Sequence, residues 1–349
     1  MGKLSEPIST HKHLAHSDFI YTPYATSNMP IDSNKRTPMR RLYVLLLLLM
    51  LISPTVGAQS TSTDDEVIVI RDIPYVTDGA PRQELDIYLP PSTGTAFDFA
   101  QPYPTIFMVH GGGFVFGSRR LMVGVAERYA QEGYAVIAPS YRLAPEHVYP
   151  AAFEDVYCAL AWTLANADDY GFDTNEFIML GESAGANAAL LITLAQDSDF
   201  FAGNCAYQIP ADLDIRAVIA VYTPIELSTC DCEFARSMGS TFLDVDIALW
   251  DEPDGVYNNF REGSLLYWLE NENRLADLPP VYLEHGTADS VVPISESELF
   301  VDAYTAVGGD ITLFAVEGAD HAYFTRARTD IAQTAFLRVD AWLNEVLSP

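Results

Sequence analysis

Short apolar runs alternate with longer segments of helical pattern from residue 67 almost to the end of the chain. Eight runs have the length and residue types of β-strands; they are VIVIRDIPYV, QELDIYL, TIFMVH, YAVIAPS, FIMLG, RAVIAVY, PVYLEH and ITLFAVEG. Helix-length segments separate most of the later runs, at 119–131, 151–166, 184–196, 295–307 and 330–347. Continuously apolar strands separated by helices are typical of a mostly parallel sheet covered on both faces. The pattern therefore predicts an α/β fold that begins with a pair of strands.

One long stretch, residues 223–278, departs from this alternation. A structureless loop of that length is uncommon in a compact domain, so we expect it to form a small layer or lid. The alternative is that its aromatic side chains belong to the local core. These side chains are Phe234, Phe242, Trp250, Tyr257, Phe260, Tyr267 and Trp268.

Size and charge narrow the class of protein. The chain has 349 residues, of which 49% are hydrophobic, which is enough for one large domain. With 48 acidic against 19 basic residues its net charge is -29. Such a charge argues against a nucleic-acid partner and disfavours binding to an anionic membrane surface.

The first part of the chain has the pattern of an export signal. Arg40 and Arg41 precede an apolar core at residues 42–52, and small residues follow at 56–58. A core of 11 residues is short for a helix that must cross a layer of about 30 Å. We therefore predict a cleaved leader and a secreted or periplasmic protein; an uncleaved leader that anchors the chain is the alternative.

The predicted export signal also divides the chain into two parts. Residues 1–58 form the leader, with the signal peptide at 39–58, because a start at Met39 gives a leader of ordinary length. We then expect residues 1–38 to be an over-extended gene start. The remainder, 59–349, is predicted to be a single domain with no stable membrane insertion after cleavage.

Four cysteines follow the leader, at positions 158, 205, 230 and 232. Their spacing matches no zinc signature and no histidine clusters with them, so no metal site is predicted. Cys158 lies in a helical pattern and is expected to be a buried small hydrophobe. In an exported protein we expect a disulfide from Cys205 to Cys230 or Cys232.

A serine between glycines follows the fifth apolar run, in the sequence IMLGESAGANAA. A strand, GxSxG and a helix together predict a nucleophile elbow, in which Ser183 stands on a sharp turn above the sheet edge. Gly181 and Gly185 leave room where a Cβ atom would collide with that turn. Ser183 is therefore the candidate nucleophile.

A serine hydroxyl needs a base, and the base needs an orienting acid. In folds with this elbow both follow the serine along the chain, the acid first. Asp289 and His321 lie in loops after the last two strands and fit this order. Their rivals are the histidine His285 and the carboxylates Glu284 and Asp320, which lie within a strand or next to His321.

The sequence HGGGFVFG follows the third strand and predicts an oxyanion hole. Glycines let backbone N–H groups approach a substrate carbonyl without a Cβ atom in the way. The predicted donors are the N–H groups of Gly111, Gly112 and Ala184. Phe114 and Phe116 lie beside them and are candidate walls of a substrate pocket.

Taken together, the motifs HGGGFVFGS, YRLAPEHVYPAAFEDVYCALAW, GESAGA, HGTADSVVP and GADHAYF resemble the α/β-hydrolase superfamily. Within it they are similar to bacterial esterases and lipases of the hormone-sensitive-lipase and carboxylesterase group. The resemblance spans roughly residues 67–345 and implies a Ser183–Asp289–His321 triad without metal or organic cofactor. Two departures are a short segment before HGGG and Glu182 in place of the group's common aspartate. The short segment before HGGG makes the chain more similar to compact feruloyl or acetyl-xylan esterases.

These observations predict a serine carboxylesterase acting on short to medium acyl chains or acyl groups on sugars. An amidase or arylformamidase with the same triad is one alternative, because these motifs do not determine which leaving group the enzyme prefers. A non-catalytic binding protein on the same fold is another.

Overall fold

The structure is a computed structural model that describes residues 66–91, 102–227, 238, 240–244, 261–270 and 277–348. Its strands are β1 (Ile68–Pro74), β2 (Glu84–Leu89), β3 (Tyr103–Val109), β4 (Ala135–Pro139), β5 (Phe172–Glu182), β6 (Ile215–Val221), β7 (Val281–Gly286) and β8 (Ile311–Val316). They correspond to the runs identified in the sequence. β5 extends five residues before the predicted FIMLG run, and the other ends differ by at most two residues.

The described strands form one sheet in the order β1-β2-β4-β3-β5-β6-β7-β8. β2 pairs antiparallel with both β1 and β4, whereas every pair from β4 to β8 is parallel. The predicted α/β class and mostly parallel sheet are confirmed. Since parallel strands end at the same edge, the loops after β3, β5, β7 and β8 gather at one side of the sheet.

Helices follow most of the strands. They are α1 (Val123–Gln131), α2 (Ala151–Ala165), α3 (Ala167–Tyr170), α4 (Ala184–Leu194), α5 (Leu265–Glu270), α6 (Ser295–Ala306) and α7 (Asp330–Val346). Short 3₁₀ turns lie at Arg119–Met122, Asp199–Phe201 and Arg261–Gly263. The predicted segment 119–131 thus begins as a 3₁₀ turn before α1, and the other long helices end within two residues of the prediction.

Alternate side chains of each central strand enter two separate hydrophobic cores. On β5, Phe177 and Met179 belong to the core that α2, α4 and α6 cover. Ile178 and Leu180 belong to the opposite core, beneath α1 and α7. This alternation follows from the two-residue period of a strand, and it buries the sheet on both faces.

The predicted cysteine pairing is wrong. Cys158 on α2 forms a disulfide with Cys205, 47 residues later, so Cys205 has no bond left for Cys230 or Cys232. The expectation that Cys158 is buried is correct, since only 4% of it is exposed. What the sequence does not display is that α2 packs beside the turn after Asp199–Phe201, which brings the two sulfur atoms together.

The stretch 223–278 is described only in part. Phe242 and Trp268 are buried, and Trp268 donates its indole N–H to the carbonyl of Glu262 at 2.7 Å. Phe234, Trp250, Tyr257 and Phe260 lie outside the described residues, so the choice between a lid and a local core stays a prediction.

The leader at 1–58 also lies outside the described residues, and the division of the chain at residue 58 remains a prediction. Across the ranges that the structure describes, no helix has both the length and the apolar character that crossing a membrane requires.

Candidate active site

The turn after β5 holds Ser183 in a strained conformation. Its φ is 53° and its ψ is -126°, and α4 begins at the next residue. A Cβ atom on Gly181 would lie 2.4 Å from the carbonyl oxygen of Gly185, and one on Gly185 would lie 2.3 Å from that of Val109. The two glycines are therefore required by the close approach of backbone, and a non-glycine residue at positive φ between them is typical of a functional turn.

Ser183, His321 and Asp289 are hydrogen-bonded in series. His321 Nε2 lies 3.0 Å from Ser183 Oγ, and His321 Nδ1 lies 2.7 Å from Asp289 Oδ2. Because an ionised carboxylate only accepts hydrogen bonds, Nδ1 carries the proton and Nε2 accepts from the serine hydroxyl. The structure thus brings together the three residues that the sequence nominates for the triad.

Asp289 is held in its ionised form at this position. Its Oδ1 accepts the backbone N–H groups of Val291 and Val292, both at 2.9 Å. Burial alone would raise the pKa of Asp289, but hydrogen bonds from His285 and His321 and the charge of His321 outweigh it and lower that pKa. A carboxylate that remains charged can fix the tautomer of His321 and stabilise its protonated form.

His285, the rival base, lies inside the fold. Its Nδ1 is 2.7 Å from Ser297 Oγ, and its Nε2 is 2.9 Å from the Val292 carbonyl oxygen. Nε2 also lies 3.4 Å from Asp289 Oδ2. Both ring nitrogens are thus engaged with the loop that carries Asp289, which makes His285 a support of that loop.

The rival carboxylates have other partners. Glu284 is buried and pairs with Arg338 at 2.6 Å, which ties β7 to α7. Asp320 accepts the backbone N–H groups of Ser290 and His321, each at 2.8 Å. These bonds, that from Ser290 first, lower the pKa of Asp320. Asp320 therefore joins the two loops that hold Asp289 and His321.

The oxyanion-hole prediction needs one correction. The N–H of Gly111 donates to Glu182 Oε1 at 2.7 Å, so it is already engaged within the protein. Gly112 and Gly113 instead line a cavity together with Ser183. Gly111 is therefore not free to donate to a substrate in this structure, and Gly113, in the same motif, is a residue beside Ser183 that sequence reasoning did not name.

Glu182 is a buried carboxylate next to the nucleophile. Burial raises its pKa, while the N–H of Gly111 and the charge of His321 oppose that change. A Cβ atom on Gly111 would lie 2.5 Å from Glu182 Oε1, which explains why glycine stands there. The loop after β3 is thus fastened to the residue that precedes Ser183.

The two candidate wall residues lie in different places. Phe114 is 1% exposed and stacks on Phe242 with ring centroids 4.3 Å apart. Phe114 lines one cavity beside Ser183. Phe116 is 53% exposed and lines another, the cavity that Gly112 and Gly113 border, next to His321. Both cavities contain Ser183. Within the described part of the chain, no group of three or more His, Cys, Asp or Glu side chains is placed to hold a metal ion.

A sheet of this topology, with a strained serine turn and an acid and a base in the loops after β7 and β8, is that of an α/β-hydrolase of the esterase and lipase kind. The family model BD-FAE matches residues 85–304, and the chain belongs to that family.

Known proteins show the same likeness. Esterase LipC of Mycobacterium tuberculosis is 28% identical over 248 residues, which is 70% of this chain and 57% of that protein. The chain thus spans somewhat more than half the length of this relative. Among solved structures, esterase B from Lactobacillus rhamnosis has a TM-score of 0.66 at 20% identity and covers 81% of this chain and 87% of its own. A truncated carbohydrate esterase from gut microbiota has a TM-score of 0.61 at 21% identity, with 82% and 99% covered. These structures share the fold.

Proposed function

We propose that this protein is a serine carboxylesterase that works through an acyl-enzyme. The observation that carries the proposal is the series of hydrogen bonds from Ser183 to His321 to Asp289, at 3.0 and 2.7 Å. The name of the relative LipC, an esterase, and those of the esterase structures support the same reaction.

The geometry supports a two-step reaction. Ser183 Oγ attacks the ester carbonyl carbon while His321 Nε2 takes its proton, and Asp289 stabilises the resulting imidazolium. The oxyanion accepts hydrogen bonds from the N–H groups of Gly112, Gly113 and Ala184, which replace those that water would give. His321 then gives the proton to the leaving alkoxide oxygen, which releases the alcohol and leaves the acyl group on Ser183.

Deacylation repeats these steps with water. His321 takes a proton from a water molecule, the hydroxide oxygen attacks the acyl carbon, and the proton returns to Ser183 as the acid leaves. Esters of acyl groups on sugars are candidate substrates, supported by the likeness to a carbohydrate esterase.

A covalent serine probe tests the class of protein. We expect a fluorophosphonate to label Ser183 and to stop hydrolysis of ethyl acetate in the same proportion. Ser183→Ala removes both signals, and an intact mass spectrum checks that one adduct forms per chain. A folded protein that neither reacts with the probe nor hydrolyses esters would be a binding protein instead. Faster turnover of an anilide than of the matching ester would make it an amidase.

We also propose that the protein is exported. The leader pattern at residues 39–58 supports this, and so does the Cys158–Cys205 disulfide, because such bonds persist in oxidising compartments. The mature chain is expected to begin at or near Gln59. N-terminal sequencing of exported protein checks this, and recovery of the intact segment 42–52 would indicate an anchor.

A further inference from the structure

Ser183 lies between two cavities of unequal size. The smaller cavity has a volume of about 30 Å³ and is walled by Phe114, Leu227, Phe242 and Val292. The larger one has a volume of about 220 Å³, and its walls include Phe116, Leu121 and His321. Met238 and Val291 border both cavities, so the two are halves of one cleft with the nucleophile between them.

The position of the base decides which half receives which part of an ester. His321 must reach the leaving oxygen to protonate it, so the alcohol has to lie on the side of the serine that His321 faces. His321 lines the larger cavity and is not among the residues described around the smaller one. We infer that the smaller cavity receives the acyl group and the larger cavity the alcohol. The enzyme, on the function proposed above, is therefore selective for short acids esterified to bulky alcohols.

The two volumes set the sizes. Since one water needs roughly 10–15 Å³ of such space, the smaller cavity holds about two or three heavy atoms and the larger roughly fifteen to twenty. Beyond the carbonyl carbon, this corresponds to acids from acetate to butanoate. An aryl acid such as phenylacetate or ferulate exceeds the smaller cavity and fits only the larger one.

Closely packed aromatic rings form part of the wall of the smaller cavity. Phe114 and Phe242 stack on each other, and Phe242 packs against Phe153 with ring centroids 5.7 Å apart and against Tyr149 at 6.0 Å. Phe114, Phe153 and Phe242 are at most 1% exposed. Close-packed rings of this kind do not open for a longer acyl chain without loss of packing.

The larger cavity is bordered by apolar side chains that are exposed to solvent. Phe116 is 53% exposed and Leu121 47%, and both border the cavity. An alcohol with a flat apolar face, such as an aryl group, covers these side chains and excludes water from them. We therefore expect a bulky aryl alcohol to bind better than methanol.

A pair of isomeric esters tests this without any substitution. Benzyl acetate places a ring on the alcohol, and methyl phenylacetate places the same ring on the acid. We expect kcat/KM for benzyl acetate to exceed that for methyl phenylacetate by on the order of 10². Equal rates, or faster hydrolysis of methyl phenylacetate, would overturn the inference. It is also overturned if the fluorophosphonate labels Ser183 but neither isomer is hydrolysed, whereas failure of both assays would reject the proposed function itself.

Two matched leucine substitutions locate the selectivity. Leu227→Ala enlarges the smaller cavity and should raise kcat/KM for benzyl hexanoate relative to benzyl acetate roughly tenfold. Leu121→Ala should leave that ratio unchanged and reduce the preference for benzyl acetate over methyl acetate. If Leu121→Ala changes acyl preference and Leu227→Ala does not, the two halves are assigned the wrong way round. The isomer pair keeps the inference testable if Leu227→Ala does not fold.

Discussion

Two glycine-rich turns meet beside Ser183, and they are held by different means. The elbow after β5 is fixed by backbone: the Ser183 N–H donates to the Val221 carbonyl on β6 at 2.9 Å, and Gly185 lies against the Val109 carbonyl at the end of β3. The HGGG loop after β3 also has backbone bonds, such as that from the Ala144 N–H to the Phe114 carbonyl at 3.0 Å, but side chains join it to its surroundings as well. Tyr141 donates to the His110 carbonyl at 2.8 Å, and Glu182 accepts from Gly111.

The difference teaches which features of a site a sequence displays. Contacts between the backbones of neighbouring strands follow from strand order, and they leave glycines at fixed spacing. Contacts from distant side chains leave no such spacing, since Glu182 is 71 residues from Gly111. We expect the elbow to tolerate substitution poorly, and the HGGG loop to shift when substituted, with a smaller loss of activity.

Of the two turns, the elbow is expected to show the larger effect. In Gly185→Ala the added Cβ would lie 2.3 Å from the carbonyl oxygen of Val109. That oxygen is at the end of β3, a central strand, which cannot move away. The chain must shift Ser183 instead, and we expect kcat/KM to fall on the order of 10³, with the folded state destabilised by about 1–3 kcal/mol. Ester hydrolysis and thermal unfolding measure both. Near-normal activity would show that the elbow can change its conformation as readily as a surface loop.

A smaller effect is expected in the HGGG loop. Gly112 has a φ of 115°, and a Cβ there would lie 2.2 Å from the Phe116 carbonyl oxygen. Gly112→Val should displace the loop and lower kcat on the order of 10², because a donor to the oxyanion is lost. Gly133→Val is the matched control, since Gly133 has a φ of 102° and open space around it. The control should lose stability but not kcat; normal kcat in Gly112→Val would mean that HGGG is only a turn.

The smallest effect is expected from Glu182→Gln. The amide oxygen can still accept the Gly111 N–H, but the negative charge near His321 is lost, so we expect kcat/KM to fall about tenfold. Glu284→Gln is the control, a buried carboxylate on β7 that pairs with Arg338. It should lower stability because Arg338 loses its partner, and it should leave kcat unchanged. Equal loss of kcat in both variants would contradict a specific role of Glu182.

The same variant has a predicted pH dependence of stability. Burial raises the pKa of Glu182 above its value in the unfolded chain. Its contribution to stability is thus fully present below the unfolded pKa of about 4.3 and is lost as the pH rises through the folded pKa. Relative to the parent, Glu182→Gln should therefore gain stability between acid and neutral pH. Thermal unfolding at pH 4 and pH 7 checks the sign, and a relative loss at neutral pH would contradict it.

Much of the fold could be read from the sequence because its signals are local. The elbow is predicted by the strand FIMLG, the GESAG turn and the helix that follows it. The positions of the loops that carry Asp289 and His321 follow from strand order. Side-chain contacts across the fold could not be read in this way. The Cys158–Cys205 bond depends on how α2 packs, and the bond from Gly111 to Glu182 depends on where β3 and β5 end.

Phe114 and Phe116 show the same limit at short range. Both are predicted to lie beside the oxyanion hole as candidate walls of a substrate pocket. Phe114 has a φ of 60°, so the chain turns there, and one ring enters the core while the other faces solvent. The sequence offers no signal for this turn beyond the preceding glycines.

The most direct test of the triad is kcat for Ser183→Ala, His321→Ala and the double variant, with circular dichroism to check folding. We expect each single change to lower kcat by on the order of 10⁴ or more, and the double variant to be little worse, since triad members act as a unit. His285→Ala should disturb the Asp289 loop yet keep substantial activity. A folded His321→Ala enzyme that stays active while His285→Ala is inactive would contradict the assignment of His321 as the base.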